Sequence, residues 1–95
     1  METVKAEDLN GLISSSVEVC IHGREDEDKA PWIKRKLNKV ELCPDQTHLR
    51  IYFDKHFFIA VPLTSSVEKK ENEWTAYDEK AKLYYVIRSE VKVNV

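Results

Sequence analysis

The stretch from His48 to Pro62, HLRIYFDKHFFIAVP, restricts the fold of this chain more than any other part of the sequence. Two apolar runs flank a charged centre, which is typical of a β-hairpin. A two-residue loop would pair Phe53 with His56 and mix the apolar and polar faces. A three-residue loop over 54–56 opposes Phe53 to Phe57 instead, and a one-residue slip would turn the whole apolar set outward. We therefore predict the three-residue loop.

In this register one face of the hairpin is entirely apolar, and it should line the core. His56 then takes the left-handed position of the loop, which His tolerates better than most residues other than Gly. Each buried side chain contributes roughly 1.5–3 kcal/mol before entropy is subtracted, so this hairpin is the largest local source of stability. The inward residues are Leu49, Ile51 and Phe53 on the first strand and Phe57, Ile59 and Val61 on the second.

The rest of the chain reads as short strands and polar connections. The segment WIKRKLNK (32–39) is compatible with a helical turn or with extended backbone. Residues 1–13 are expected to form a weakly structured lead-in with a short edge strand at TVKA (3–6), and LTSSVEKKENE (63–73) a surface loop. The remaining predicted strands are SVEVCIH (16–22), VELC (40–43), WTAYD (74–78), LYYVIRS (83–89) and EVKVNV (90–95).

These elements predict an all-β fold, a seven-stranded antiparallel β-sandwich, because no segment gives a convincing helix. A chain of 95 residues is long enough for one domain, 1–95, with its core in 16–88. A domain of this size is also compatible with a part excised from a larger protein.

Composition excludes some classes of function. The formal net charge of −2 gives no general attraction to nucleic acid or to acidic membranes. The longest apolar run, FFIAVPL (57–63), is far shorter than the ~20 residues that a membrane-spanning helix needs. The opening METVKAEDLNG shows no signal peptide. We therefore expect the protein to be cytoplasmic, with a nuclear location also compatible.

Two cysteines are too few for a disulfide framework in a chain of this kind. Val17, Val19 and Ile21 share one face of a strand, which places Cys20 on the other. The same alternation places Cys43 away from the main apolar face. We expect both thiols to be reduced, partly covered and inert.

No catalytic, cofactor-binding or metal site is predicted, and we expect the protein not to be an enzyme. His22, His48 and His56 belong to no nucleophile or ligand motif. Cys20 and His22 share a strand face that Cys43 could approach, but a closed zinc site usually has four ligands. We therefore interpret these histidines and cysteines as structural or solvent-exposed residues.

The order of several short motifs resembles the CS domain, a β-sandwich found in chaperone-associated proteins and related to small heat-shock proteins. The motifs are SVEVCIHG, LNKVELCPDQTHLRIYF, FFIAVPLTSSV and WTAYDEKAKLYYVI, and together they cover about residues 16–88. The version in PIH-type proteins and in box C/D and H/ACA ribonucleoprotein assembly factors is most similar. The resemblance implies a co-chaperone or adaptor that recruits the ninety-kilodalton heat-shock chaperone or a subunit of an assembly complex.

The sequence favours a protein-interaction module. Tyr52, Phe58 and Tyr84 fall on the outer side of their strands, and exposed aromatic residues on a sheet suit an interface. An alternative is a small β-barrel that binds single-stranded nucleic acid through Trp32 and the basic cluster Lys34–Lys39. The candidate interface residues are Tyr52, Phe58, Tyr84, Trp32, Lys34 and Arg35.

Overall fold

A computed structural model describes residues 3–23, 32–53, 57–70 and 72–89 of the chain. In these residues seven strands and one short helix form. Their bounds are α1 Glu7–Asn10, β1 Ser16–His22, β2 Ile33–Leu42, β3 His48–Phe53, β4 Phe57–Pro62, β5 Ser66–Lys70, β6 Glu73–Asp78 and β7 Leu83–Ser89.

All pairings are antiparallel, and the strands follow the order β4-β3-β2-β1-β7-β6-β5 in one continuous sheet. The first half of the long strand β2 pairs with β1 and its second half pairs with β3. The register shifts between Leu37 and Lys39, and a bulge of this kind bends a strand. The sheet therefore folds at β2 into two layers, with β4 against β6. The predicted all-β, antiparallel sandwich is confirmed.

The β3–β4 hairpin has the register that the three-residue loop requires. Phe53 opposes Phe57 and Ile51 opposes Ile59, so the apolar residues of the two strands share one face. The prediction that Phe57 lines the core was wrong: at the first position of the edge strand β4 it is 38% exposed. Ile51 and Phe53 have no exposed surface. Loop residues 54–56 lie outside the described residues, so the left-handed position of His56 stays a prediction.

Both layers contribute to a single core. Its aromatic members include Phe53 from β3 and Trp74 from β6, which come from opposite halves of the sheet. The other buried members are Val4, Leu9, Val17, Val19, Leu37, Leu49, Ile51, Ile59, Val61, Val67, Ala76, Tyr85 and Ile87.

The ambiguous segment 32–39 is extended and belongs almost wholly to β2. Leu37 opposes Phe53 and Val40 opposes Ile51, so both point to the core although they lie three positions apart. A separation of three positions is also typical of residues on one face of a helix. In β2 it arises because the bulge between the two residues interrupts the usual alternation of a strand.

The prediction for the N-terminal lead-in was wrong. Residues 3–6 form no strand; instead α1 follows, Leu9 has no exposed surface and Val4 is also buried. The Lys69 ammonium group contacts the Asp8 carboxylate at 3.1 Å, which links the helix to β5. A four-residue helix is too short for a hydrophobic period to reveal it. None of the described segments forms a helix with the length and apolar character that a bilayer crossing needs.

The prediction of a loop over 63–73 was also wrong, because β5 lies within it. Val67 is buried and opposes Ala76 of β6, while the three residues that follow it are charged and exposed. A single buried residue beside a charged run hides the alternation of a strand. The strand predicted over 90–95 lies outside the described residues. The seven strands that the structure describes therefore include β5, which was not predicted.

We predict that Ile51→Ala lowers the free energy of unfolding by about 2–5 kcal/mol, because it leaves a cavity at the centre of the hairpin face. Leu42→Ala is the matched control: this aliphatic side chain is 48% exposed on the neighbouring strand β2. Its loss should cost less than about 1 kcal/mol. Urea unfolding followed by tryptophan fluorescence measures both values, and equal losses would contradict the hairpin assignment.

We also predict that Leu9→Ala lowers the free energy of unfolding by about 2–5 kcal/mol, since Leu9 fills a fully buried position in the core. Glu7→Ala in the same helix is the control and should change stability by about 0.5 kcal/mol or less, because Glu7 is exposed. If Leu9→Ala behaves like its control, the lead-in does not close the core in solution.

Candidate functional site

An aromatic and cationic surface covers the outer side of β2, β3 and β4. Tyr52 opposes Phe58 across the hairpin, and their ring centroids lie 5.2 Å apart at an interplanar angle of 39°. Lys39 opposes Tyr52 from β2, and Arg50 lies on the same side of β3. We call these four residues the Tyr52–Phe58 face. Phe58 is 46% exposed, so much of its ring is available to a partner.

A cationic side-chain group lies near each of the two aromatic rings of this face. The Lys39 ammonium nitrogen lies 4.9 Å from the centroid of Tyr52, and the Arg50 guanidinium carbon lies 5.6 Å from that of Phe58. Arg50 also donates a hydrogen bond of 3.4 Å to the Tyr52 hydroxyl. Lys39 forms an exposed ion pair of 3.0 Å with Glu41. The face therefore combines apolar surface with positive charge at fixed positions on a hairpin.

An open hollow lies beside this face, where the β2–β3 turn meets β4. Its volume is ≈ 450 Å³. Arg50 and Phe58 belong both to the hollow and to the Tyr52–Phe58 face, so the two surfaces are continuous. The hollow is lined by Cys43, Pro44, Asp45, Thr47, His48, Arg50, Phe58 and Ala60.

The turn that forms one wall is organised by the Asp45 carboxylate. One of its oxygens accepts hydrogen bonds from the Cys43 thiol at 2.8 Å, the Thr47 hydroxyl at 2.8 Å and the Thr47 backbone N–H at 3.3 Å. These bonds, that from Cys43 above all, lower the pKa of Asp45. Gln46, which lies between Asp45 and Thr47, adopts a left-handed φ of 60°. The wall is thus a tight, hydrogen-bonded turn.

The two thiols differ in environment, and both cysteines are free and buried. The Asp45 carboxylate and burial raise the pKa of Cys43, but hydrogen bonds from Thr47 and from the backbone of His48 outweigh them and lower it. Burial raises the pKa of Cys20, and the charge of Arg88 offsets only part of that effect. Cys20 opposes Val86, away from the core face that Val19 and Ile87 share, as predicted.

The His48 side chain points to Thr47 and not to the Cys43 thiol. The His48 Nδ1 atom lies 2.8 Å from the Thr47 hydroxyl, and the contact of His48 with the Cys43 sulfur is made by its backbone N–H at 3.3 Å. The imidazole is therefore not placed as a base for the thiol. Among the described residues no group of three or more His, Cys, Asp or Glu side chains is placed to hold a metal ion.

Tyr84, a predicted interface residue, lies in a different ring cluster of the outer side. Its ring stacks on His22 with centroids 5.1 Å apart and contacts Tyr77 at 4.5 Å. These residues belong to β1, β6 and β7, on the far side of β2 from Tyr52 in the strand order. The structure therefore brings Tyr52 and Phe58 together but leaves Tyr84 apart.

Trp32 and the basic residues after it do not form one patch. The Arg88 guanidinium carbon lies 3.9 Å from the centroid of Trp32, and Arg88 also pairs with Glu18 at 2.7 Å. Lys34 opposes Glu18 on the outer side of the sheet. Arg35 points to the inner side, opposite Val17, and its guanidinium lies 5.8 Å from the ring of Phe57.

Sequence reasoning missed Arg50 and the hollow, and it assigned Lys39 to the basic cluster after Trp32 without placing it beside Tyr52. Arg50 could have been found, because it lies two positions before Tyr52 on the same strand face. The position of Lys39 beside Tyr52 could not, because the bulge in β2 decides on which side Lys39 lies. The hollow depends on how a turn folds against β4, and no local pattern indicates that.

Comparison of the chain with protein families, with curated proteins and with solved structures finds no match.

We predict that Asp45→Asn increases the rate at which iodoacetamide alkylates Cys43 at neutral pH by about threefold to tenfold. The hydrogen bond that the thiol donates to the Asp45 carboxylate raises the pKa of Cys43, and a neutral amide oxygen accepts a weaker hydrogen bond. Mass spectrometry of cysteine-containing peptides separates the two sites. Cys20 in the same molecule is the control and should react slowly in both proteins; an unchanged or lower rate at Cys43 would contradict the assigned contact.

Proposed function

We propose that this chain is a protein-binding module without enzymatic activity and that the Tyr52–Phe58 face is its main contact surface. The observation that supports this most is the 46% exposure of Phe58 on a strand whose other side buries Ile59 and Val61 in the core. Aromatic residues that a rigid hairpin already holds in place lose little side-chain entropy on binding. Such residues, together with Arg, contribute most strongly to protein interfaces.

The role as co-chaperone or assembly adaptor rests on the resemblance of the sequence to the CS domain. A sandwich with one exposed aromatic face is compatible with that role, because it can dock a partner without rearranging its core. The partner proposed on this basis is the ninety-kilodalton heat-shock chaperone or a subunit of an assembly complex.

Single-stranded nucleic acid is the second candidate ligand. Lys34, Lys36 and Lys39 are all exposed on the outer side of β2, and Tyr52 next to them offers a ring for stacking. The proposed stacking residue Trp32 is less suitable, because the Arg88 guanidinium carbon lies 3.9 Å from the centroid of its ring, closer than the Lys39 ammonium nitrogen lies to that of Tyr52, at 4.9 Å. The net charge of −2 also gives no long-range attraction, so we favour a protein partner.

We predict that Tyr52→Ala and Phe58→Ala each weaken partner binding by about 30-fold, which corresponds to the loss of about 2 kcal/mol at an interface hot spot. The immobilised chain and both variants capture partners from nuclease-treated cell extract, and quantitative mass spectrometry compares them. The affinity for each captured protein is then measured with purified components.

Tyr84→Ala is the matched control, since it removes the same side chain from the other ring cluster of the outer side. Thermal unfolding confirms that each variant is folded. Equal recovery by wild type, Tyr52→Ala and Phe58→Ala would contradict the proposed face, as would a loss confined to Tyr84→Ala. Binding that disappears with nuclease, or that falls steeply as salt is raised, would favour nucleic acid instead.

A further inference from the structure

The two edges of the sheet are protected to different degrees. The edge strand β5 ends in Glu68, Lys69 and Lys70, all of them exposed. The other edge strand, β4, has the sequence FFIAVP and contains no charged residue. Proteins usually protect an edge strand with charges or proline, because its unpaired N–H and C=O groups can bind another strand. In the part of the chain that the structure describes, no strand pairs with the outer edge of β4, and Pro62 at its end is the only residue of β4 that disfavours such pairing.

The exposed side chains of β4 lie on both of its sides. Phe57 and Phe58 are adjacent and therefore point to opposite sides of the sheet, with 38% and 46% of their surfaces exposed. Each ring has a guanidinium group over it. The guanidinium carbon of Arg35 lies 5.8 Å from the centroid of Phe57, and that of Arg50 lies 5.6 Å from Phe58. The start of β4 thus offers an aromatic ring and a positive charge on each side.

We infer that the free edge of β4 binds an extended acidic segment of a partner protein, which joins the sheet as an additional strand. The inference rests on the proposed protein-binding function and specifies the chemistry and conformation of the partner. Main-chain hydrogen bonds to β4 provide the affinity of such a strand, and its alternating side chains provide specificity. Neighbouring strands lie about 4.8 Å apart, so a carboxylate beside Phe58 can reach the guanidinium of Arg50.

The hollow next to the Tyr52–Phe58 face lies along the path of this strand. Phe58 and Ala60 point to the same side of β4, and both line the hollow. A residue of the added strand opposite Ala60 therefore projects over it. With a volume of ≈ 450 Å³, the hollow has room for a large side chain, and the residues Arg50 and His48 are available to it.

Charge decides between this partner and a second copy of the chain. If β4 paired with β4 of another copy about a two-fold axis, the guanidinium groups that Arg35 and Arg50 hold over Phe57 and Phe58 in each copy would add positive charge from both copies to one interface. Like charges across a strand pair destabilise it. An acidic peptide instead places carboxylates at the same positions, and opposite charges across an interface also exclude wrong partners.

The inference is tested with a fluorescently labelled peptide of about nine residues, in which two adjacent glutamates interrupt a run of valine and threonine. Adjacent residues of a strand point to opposite sides, so each glutamate faces one of the two arginines. Fluorescence anisotropy should show binding to the wild-type chain. A peptide with lysine in place of both glutamates should bind at least about tenfold more weakly. This arm needs no variant of the protein.

Arg50→Glu should weaken binding of the acidic peptide by at least about tenfold, because it reverses the charge next to Phe58. Lys70→Glu is the matched control: it makes the same change of charge at the other edge, on β5, and should alter the affinity less than about twofold. Hydrogen exchange with and without peptide provides the direct readout. The amides on the outer edge of β4 should become protected, and N-methylation of alternate peptide amides should abolish the effect.

Several outcomes would overturn the inference. Binding of the acidic peptide without protection of β4 amides would mean that side chains alone hold it, and the proposed function would survive without the edge. Absence of binding up to about 1 mM would exclude an acidic strand. Concentration-dependent dimerisation in sedimentation, with β4 protected in the absence of peptide, would identify a second copy as the occupant. Conversely, β4 protection by peptide together with partner capture that does not depend on Tyr52 and Phe58 would contradict the proposed function alone.

Discussion

The register of the β3–β4 hairpin is the constraint on which the rest of the structure depends. With Phe53 opposite Phe57 and Ile51 opposite Ile59, one side of both strands lines the core, except at Phe57, which is 38% exposed. In the same register, the alternation of side chains places Tyr52 beside Phe58 on the other side of the hairpin. A shift by one residue would exchange the two sides, and the core and the exposed aromatic face would be lost together. The core and the exposed aromatic face are therefore two consequences of one pairing.

The bend in β2 makes this hairpin part of a sandwich. The strand is ten residues long and pairs with β1 in its first half and β3 in its second, with the register shift between Leu37 and Lys39. Because the sheet folds there, the hairpin can cover β6 and bury Trp74 in a core shared by both layers. The bulge also turns Lys39 outward next to Tyr52. A local irregularity of one strand thus helps to close the core and to complete the charged surface outside it.

Most of what could bind another molecule lies around β4. Its outer side carries Phe58 under the guanidinium of Arg50, the hollow opens beside it, and its free edge contains no charge. The hydrogen bonds of Asp45 keep the neighbouring turn in one conformation, which maintains the wall of the hollow. The opposite edge strand, β5, has exposed charges of both signs and resists pairing. The two edges of the sheet therefore differ in how well they are protected against pairing with another strand.

The sequence by itself determined which residues of each clearly alternating strand face the core, because side chains along a strand change sides with a period of two. That rule was sufficient for the hairpin register, for the placement of Cys20 opposite the core face and for the outward orientation of Tyr52 and Phe58. Only the tertiary structure decided that Leu9 closes the core, that Val67 belongs to a strand, and that Tyr84 lies apart from Tyr52. It also decided that Arg35 turns inward while Lys34 stays outside. These placements depend on contacts between residues distant in sequence and on a bend in one strand, which no local period encodes.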